Sequence, residues 1–269
     1  MRGTVSLIAA SLFASAQLFA AEVQVKQSPK PSAAQSPAPT ALPIATPAAA
    51  EAAKYRPALL GQGPNSVINR MDAQGLMQGG QKDASVLFCC SVDKTGAIQN
   101  TWTYRGSPNS TLLEQELVRR LDDAGFVPAV YNFQPVHVLF YGTVTFAVVN
   151  GKPRLRIFAN QETEEVKKEN DFIGPQPFVG PGSKFEGLHY PDDVVAVEVS
   201  GIAELGLKID ANGNLKELRI ASEDPPLLGF GLAAAGDFRV ASFIPAFRDG
   251  KPVECNITLP VYYEPPVRK

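Results

Sequence analysis

Histidine, tryptophan, methionine and cysteine are all scarce in this chain of 269 residues, which holds two, one, three and three of them. A zinc or redox centre asks for a spaced cysteine pair or for histidine neighbours, and Cys89, Cys90 and Cys255 have neither. Their odd number makes no disulfide framework. Adjacent strand residues point to opposite faces, so Cys89 and Cys90 are poorly placed to bond each other. Cys90 and Cys255 read as small core side chains. Charge of one sign is lacking too: 25 Lys and Arg against 27 Asp and Glu leave a net charge of −2. No whole-chain basic field exists to hold nucleic acid.

The residue patterns of familiar catalysts are also missing. No G-x-S-x-G, H-E-x-x-H or P-loop spacing occurs. His137 alternates with Val136 and Val138 on a predicted strand and is expected to face out, while His189 falls on the approach to Tyr190-Pro191. Asp192-Asp193 lack further metal ligands, and Glu162, Glu164 and Glu165 lie among lysines as a solvated charge run. Trp102 and Tyr104 either form a small aromatic contact surface for a glycan or peptide or simply cover a sheet face. No catalytic residue, cofactor or metal site is assigned, and the sequence argues against an enzyme.

Proline is plentiful, at 23 residues, but unevenly spread. Residues 1–21 carry one charge, Arg2, then an uncharged run ending in small residues, the layout of a signal peptide or of a retained N-terminal hydrophobic anchor. Residues 22–54 are a Pro/Ala-rich tract without the aromatics to bury a core, and read as a disordered or semi-rigid extended spacer. A first globular unit is expected over 55–161, a linker over 162–183, a second unit over 184–264 and a tail over 265–269. The linker is charged at its start, and its GPQPFVGPG stretch is rich in breakers. The two units are therefore expected as separate bodies.

Those units share a text. FVPAVYNFQPVHVLFYGTV from Phe126 and FIPAFRDGKPVECNITLPV from Phe243 have Phe, Pro, Ala, Pro, Val and Val at identical positions, 117 residues apart. The same offset joins the turn Asp93-Lys94-Thr95-Gly96 to Asp210-Ala211-Asn212-Gly213. Alternating strands precede and follow each turn, so Phe88, Cys90 and Val92 match Leu205, Leu207 and Ile209 on the inward face. Thr111-Leu112-Leu113-Glu114 has capping-box spacing before an apolar helical stripe. Asp224-Pro225 offers an N-cap acceptor and a first-turn proline to the second helix, LLGFGLAAAGDF. Each helix ends in Phe-x-Pro-Ala, and a long strand follows. The reading is a duplicated ββαβ unit.

Tyr190-Pro191, Gly201, Asp210, Gly213, Phe243, Pro245, Ala246, Gly250, Pro252 and Val253 stand in an order that resembles the C-terminal domain of the TonB energy transducers. The first unit resembles a diverged copy, with Ala73-Gln74 where Tyr-Pro would fall and Phe133 in place of Gly250. The resemblance implies an α+β fold: two tandem TonB C-terminal-like domains, each a small antiparallel sheet (ββαβ) with a helix packed on one face, in the bacterial periplasm. It further implies that the last strand, Val253 to Tyr263, adds a strand from a partner at its open edge. Val253, Ile257, Thr258, Leu259 and Val261 would be the partner-binding residues, the inward ones holding the strand while the backbone around Thr258 pairs. An envelope protein such as an outer-membrane receptor, or a second copy of the chain, would be the partner, with membrane contact only through an uncleaved N-terminus. The alternatives are an energy transducer with a retained anchor and a purely structural scaffold. A transducer also carries a histidine in its membrane helix, and Val5 to Ala21 contains none.

Overall fold

The structure, a computed structural model, describes residues 54–266. The N-terminal hydrophobic run, all of the Pro/Ala-rich tract but Lys54, and the last three residues lie outside them. No described helix is long and apolar enough to cross a membrane.

The architecture is mixed α+β and its sheets are antiparallel throughout. In the first lobe β1 (Ala84–Val92) turns into β2 (Ile98–Gly106), α1 (Thr111–Leu121) crosses, and β3 (Gln134–Val149) returns and hairpins into β4 (Lys152–Phe158). The strands lie side by side in the order β4, β3, β1, β2. A short helix α2 (Thr163–Lys168) and strand β5 (Gln176–Val179) lead to the second lobe, where β6 (Gly201–Ile209), β7 (Leu215–Asp224), α3 (Phe230–Arg239) and β8 (Cys255–Tyr263) follow. Here the order is β8, β6, β7.

The alternation expected on each inward face is observed. Phe88, Cys90 and Val92 are buried against Leu113, Leu117 and Leu121 of α1, and Leu205, Leu207 and Ile209 against Phe230, Ala234 and Phe238 of α3. Each leucine- or phenylalanine-sized side chain withdrawn from water supplies about 1.5–3 kcal/mol, so these stripes hold each helix to its sheet. Strands β1 and β6 start and end at the same offset, as do Ala129–Tyr131 and Ala246–Arg248. The β-bulges also coincide, one at Leu87/Phe88 and Glu204/Leu205, the other at Cys90/Val92 and Lys208/Ile209.

One local device explains why the shared text must be shared. Gly96 and Gly213 have φ of +89° and +83°, where a side chain is strained. A Cβ on either would sit about 2 Å from a carbonyl oxygen, that of Phe126 in one lobe and Phe243 in the other. Those same phenylalanines donate N–H to the O of Gly96 and of Gly213, at 3.0 Å in both cases. The turn glycine and the Phe-x-Pro-Ala segment are thus two halves of one contact that pins the helix exit to the first hairpin. Asp93 and Asp210 complete each turn by accepting backbone N–H bonds through Oδ1, from Thr95 and Ala97 and from Asn212 and Asn214.

Several expectations need correction. The capping box on α1 does not form: Ser110 is the N-cap without a side-chain bond, and the Leu113 N–H is met by Gln81 Oε1 at 2.8 Å. Glu114 instead accepts the Thr103 hydroxyl. Helix α3 begins at Phe230, not beside Asp224-Pro225. The Glu223 carboxylate serves its first turn, accepting from the N–H groups of Leu228, Gly229 and Gly231. The two lobes are not separate bodies either, since the described residues 54–266 fall in one compact unit. Strand β5 pairs with β3 on one side and with Phe243–Ile244 of the second lobe on the other. Ile173 and Phe247 exchange both backbone bonds at 3.0 Å, and Arg248 forks onto both oxygens of Glu165 at 2.8 and 3.1 Å. Proline and glycine bend this segment, but Gln176, Pro177 and Phe178 are all buried and tie it down.

Candidate functional site: the outer border of the last strand

Strand β8 is a border of its sheet, paired on one side only, with β6. Opposed residues share a face, so Ile257, Leu259 and Val261 lie over Leu207, Leu205 and Ala203 and are buried with them. Asn256 and Thr258 have exposed side chains on the other face. Of the five residues expected to serve a partner, four lie on this strand. Val253 does not: Glu254 interrupts the ladder, and Val253 pairs with Ala246 in a small hairpin, where it packs half-buried on the same core.

The backbone of β8 faces outward at Thr258, whose N–H donates to Glu162 Oε1 at 2.9 Å rather than to β6. Alternation in an antiparallel ladder then turns Asn256, Pro260 and Tyr262 outward as well. Pro260 has no N–H to give, and it is buried. Burial raises the Glu162 carboxyl above its ordinary value, the Thr258 N–H pulls it back, and the charge of Glu165 adds to the rise. Beside it, burial pushes the Cys255 thiol up to about 12, helped by Glu162 and Glu254, so the thiolate needed for reactivity is absent near neutral pH.

Glu162 was the residue that sequence reasoning missed. It stands in the run taken as solvated charge, and nothing in its neighbours separates it from Glu164, whose side chain is 70% exposed. The segment that carries it is rooted in the first lobe. The side chain of buried Asn160 donates to the Phe172 carbonyl at 2.8 Å and accepts the Glu162 N–H at 3.1 Å. Gln161 reaches the carbonyls of Phe88 and Gly142.

Nearer its C-terminal end, β8 meets the back face of the first sheet. Cys89, Leu139 and Tyr141 belong to one buried cluster with Leu259, Val261 and Tyr263, and Trp102 and Tyr104 pack against it half-buried. The aromatic pair is therefore interlobe packing in large part. Arg105 and Glu204 bridge the lobes at 2.7 Å. A cleft of about 660 Å³ remains between Trp102, His137 and Leu139 on one wall and Tyr190 and Tyr262 on the other. His137 is half-buried there rather than fully outward, and burial lowers its pKa. His189 is held at the surface, its N–H and Nδ1 both on the Asp237 carboxylate. Cys90 lies in the first-lobe core, Cys89 faces the second lobe, and burial raises both thiols. Among the described residues no group of His, Cys, Asp and Glu could hold a metal ion.

The border, its hairpin and the Tyr190-Pro191 approach together fall inside one family match. Residues 186–265 match the model for the Gram-negative bacterial TonB protein C-terminal. That TonB C-terminal match takes in β6 through β8 with the approach segment and stops short of the first lobe. No curated protein matches the chain.

Proposed function

We propose that this is a non-enzymatic TonB-like protein of the periplasm that holds a partner polypeptide of the envelope by strand addition at the outer border of β8. The observation that carries the reading is the TonB C-terminal match over a lobe whose last strand is a sheet border. An unpaired border presents N–H and C=O groups that a partner backbone satisfies, which lends affinity with little demand on partner sequence. Ile257, Leu259 and Val261 would keep the strand rigid through the core while Thr258 and its neighbours pair. The first lobe is read as a diverged copy of the second. Its support is the equal spans, bulges and turn contacts at one constant offset.

The test uses the full chain, labelled for amide NMR, and a panel of synthetic peptides from the periplasm-facing ends of outer-membrane receptors. The expected result is that at least one peptide shifts the amides of Asn256, Thr258 and Tyr262 together. Silence at all three amides across the panel sinks the reading. Shifts confined to Leu218 and Ile220 would move the docking border to β7.

A further inference from the structure

The corresponding strand of the first lobe shows how this border can be filled. Strand β3 has the same relation to its sheet as β8, and its outer side is occupied by β4 from Thr143 to Val149 and by β5 at His137 and Val138, on either side of Tyr141, the counterpart of Thr258. The border of β8 has no such ladder. At its middle it has one side chain, Glu162, in the place where a partner carbonyl would accept the Thr258 N–H. Phe172, Gly174 and Pro175 stand with Asn160–Glu162 around Ile257, Thr258 and Leu259 and leave almost no free space there. A partner strand and this arm cannot both lie along the strand.

We propose that the arm around Glu162 is an intramolecular stop: it occupies the β8 border in the absence of a partner, and an extended peptide binds only by displacing it. The inference rests on the docking reading above, and adds to it what a partner must overcome. Three observations converge. The arm is held to the first lobe by the Thr143 hydroxyl, which donates to the Asn160 carbonyl, and by Gln161 on the Phe88 and Gly142 carbonyls. The Asn160 side chain accepts the Glu162 N–H, so the carboxylate is presented already oriented. The arm's one hydrogen bond to the border is that of Glu162 to the Thr258 N–H, the rest of its contact being the packing of Phe172 and its neighbours, whereas a paired strand would satisfy several outward groups at once. The border is further limited by Pro260 and by the first lobe beyond it, so Asn256 and Thr258 are where pairing has to begin. An incoming backbone gains the N–H groups of Asn256 and Thr258 and several carbonyls, while the Glu162 carboxylate regains water. A charge-assisted bond is stronger than a neutral one, yet one such bond is a small barrier against a ladder.

The experiment measures hydrogen exchange at the Thr258 amide in the full chain, and binding of the same receptor peptides, for wild type, Glu162→Ala, Glu162→Gln and Glu164→Ala. Glu162→Ala is expected to speed Thr258 exchange and to tighten peptide binding, each about tenfold. Glu162→Gln, which keeps a neutral acceptor, should fall between, and Glu164→Ala should match wild type. Unchanged Thr258 exchange in Glu162→Ala overturns the stop, even if a peptide still shifts the border. Faster exchange with unaltered peptide affinity also overturns it and leaves the docking reading standing. If no peptide binds even Glu162→Ala, the docking reading fails and the stop with it.

Discussion

The first and second lobes run the same elements at one spacing and then part at their last strand. In the first lobe that strand is continuous for sixteen residues, long enough to overhang its neighbour and fold back as a hairpin. In the second lobe the ladder breaks at Glu254, and the strand proper ends at Tyr263. One border is closed by backbone and the other by a carboxylate from the connecting segment. The outer faces of the two helices diverge as well: Gln115 and Arg119 on α1 stand where α3 has Leu232 and Gly236. What the lobes keep in common is the contact that shapes the chain, and what they vary is the way the last strand's outer edge is closed.

The largest expected effect asks whether the two lobes are one cooperative body. Phe238→Ala, in the second core, should cost about 3–5 kcal/mol, and Leu121→Ala, its counterpart in the first, about 2–5 kcal/mol. Urea unfolding followed by Trp102 fluorescence and by far-UV circular dichroism should move as a single transition for either change. Trp102 lies at the lobe boundary, so two separated transitions would break the description of one unit.

Next in size is the turn contact. Gly96→Ala and Gly213→Ala each place a Cβ against a backbone carbonyl at positive φ, and each should destabilise by about 2–3 kcal/mol. The informative quantity is their difference in the midpoint of unfolding. Near-equal losses mean that both lobes depend on the contact alike, and a loss in only one would end the equivalence.

The smallest effect is one of pH. Burial works against the charge of Asp210, but bonds from Asn214, Lys216 and Asn212 outweigh it and depress its pKa well below the usual carboxylate range. The Thr95 hydroxyl leads the bonds that lower Asp93. A carboxylate depressed in the folded state contributes stability that is complete above its unfolded pKa of about 3.9 and is lost as pH falls toward the folded value. Asp210→Asn should therefore flatten the loss of stability below about pH 4. Asp93→Asn should do so less, because Asp210 also pairs with Lys216 at 2.9 Å. Equal flattening would show that the lysine adds nothing.

Much of each lobe could be read from residues alone. Strand alternation, the Asp-x-x-Gly turns and the Phe-x-Pro-Ala segments are local patterns whose meaning survives translation along the chain, and the offset between copies announces them. Helix starts were less legible. Gln81 supplies the donor's partner for α1 from thirty-two residues away, and Glu223 rather than Asp224 serves α3, because a side chain that satisfies a helix N-terminus need not occupy the N-cap position. The connecting segment is illegible in the sequence for a similar reason. Its breakers describe where the backbone bends, and they are silent on whether Gln176 finds both the N–H and the O of Ala58 at 2.7 and 3.0 Å.

The sequence by itself determined the periodic and repeated parts of this protein, because burial of alternating side chains and the demand for glycine at positive φ act over a few neighbouring residues. Only the tertiary structure decided that the lobes pack against each other through Cys89, Leu139 and Tyr141 and that Glu162, one acid among several in a charged run, covers the last strand at Thr258. Such a contact depends on which distant backbone groups are left unpaired after folding, and that is a property of the assembled sheets.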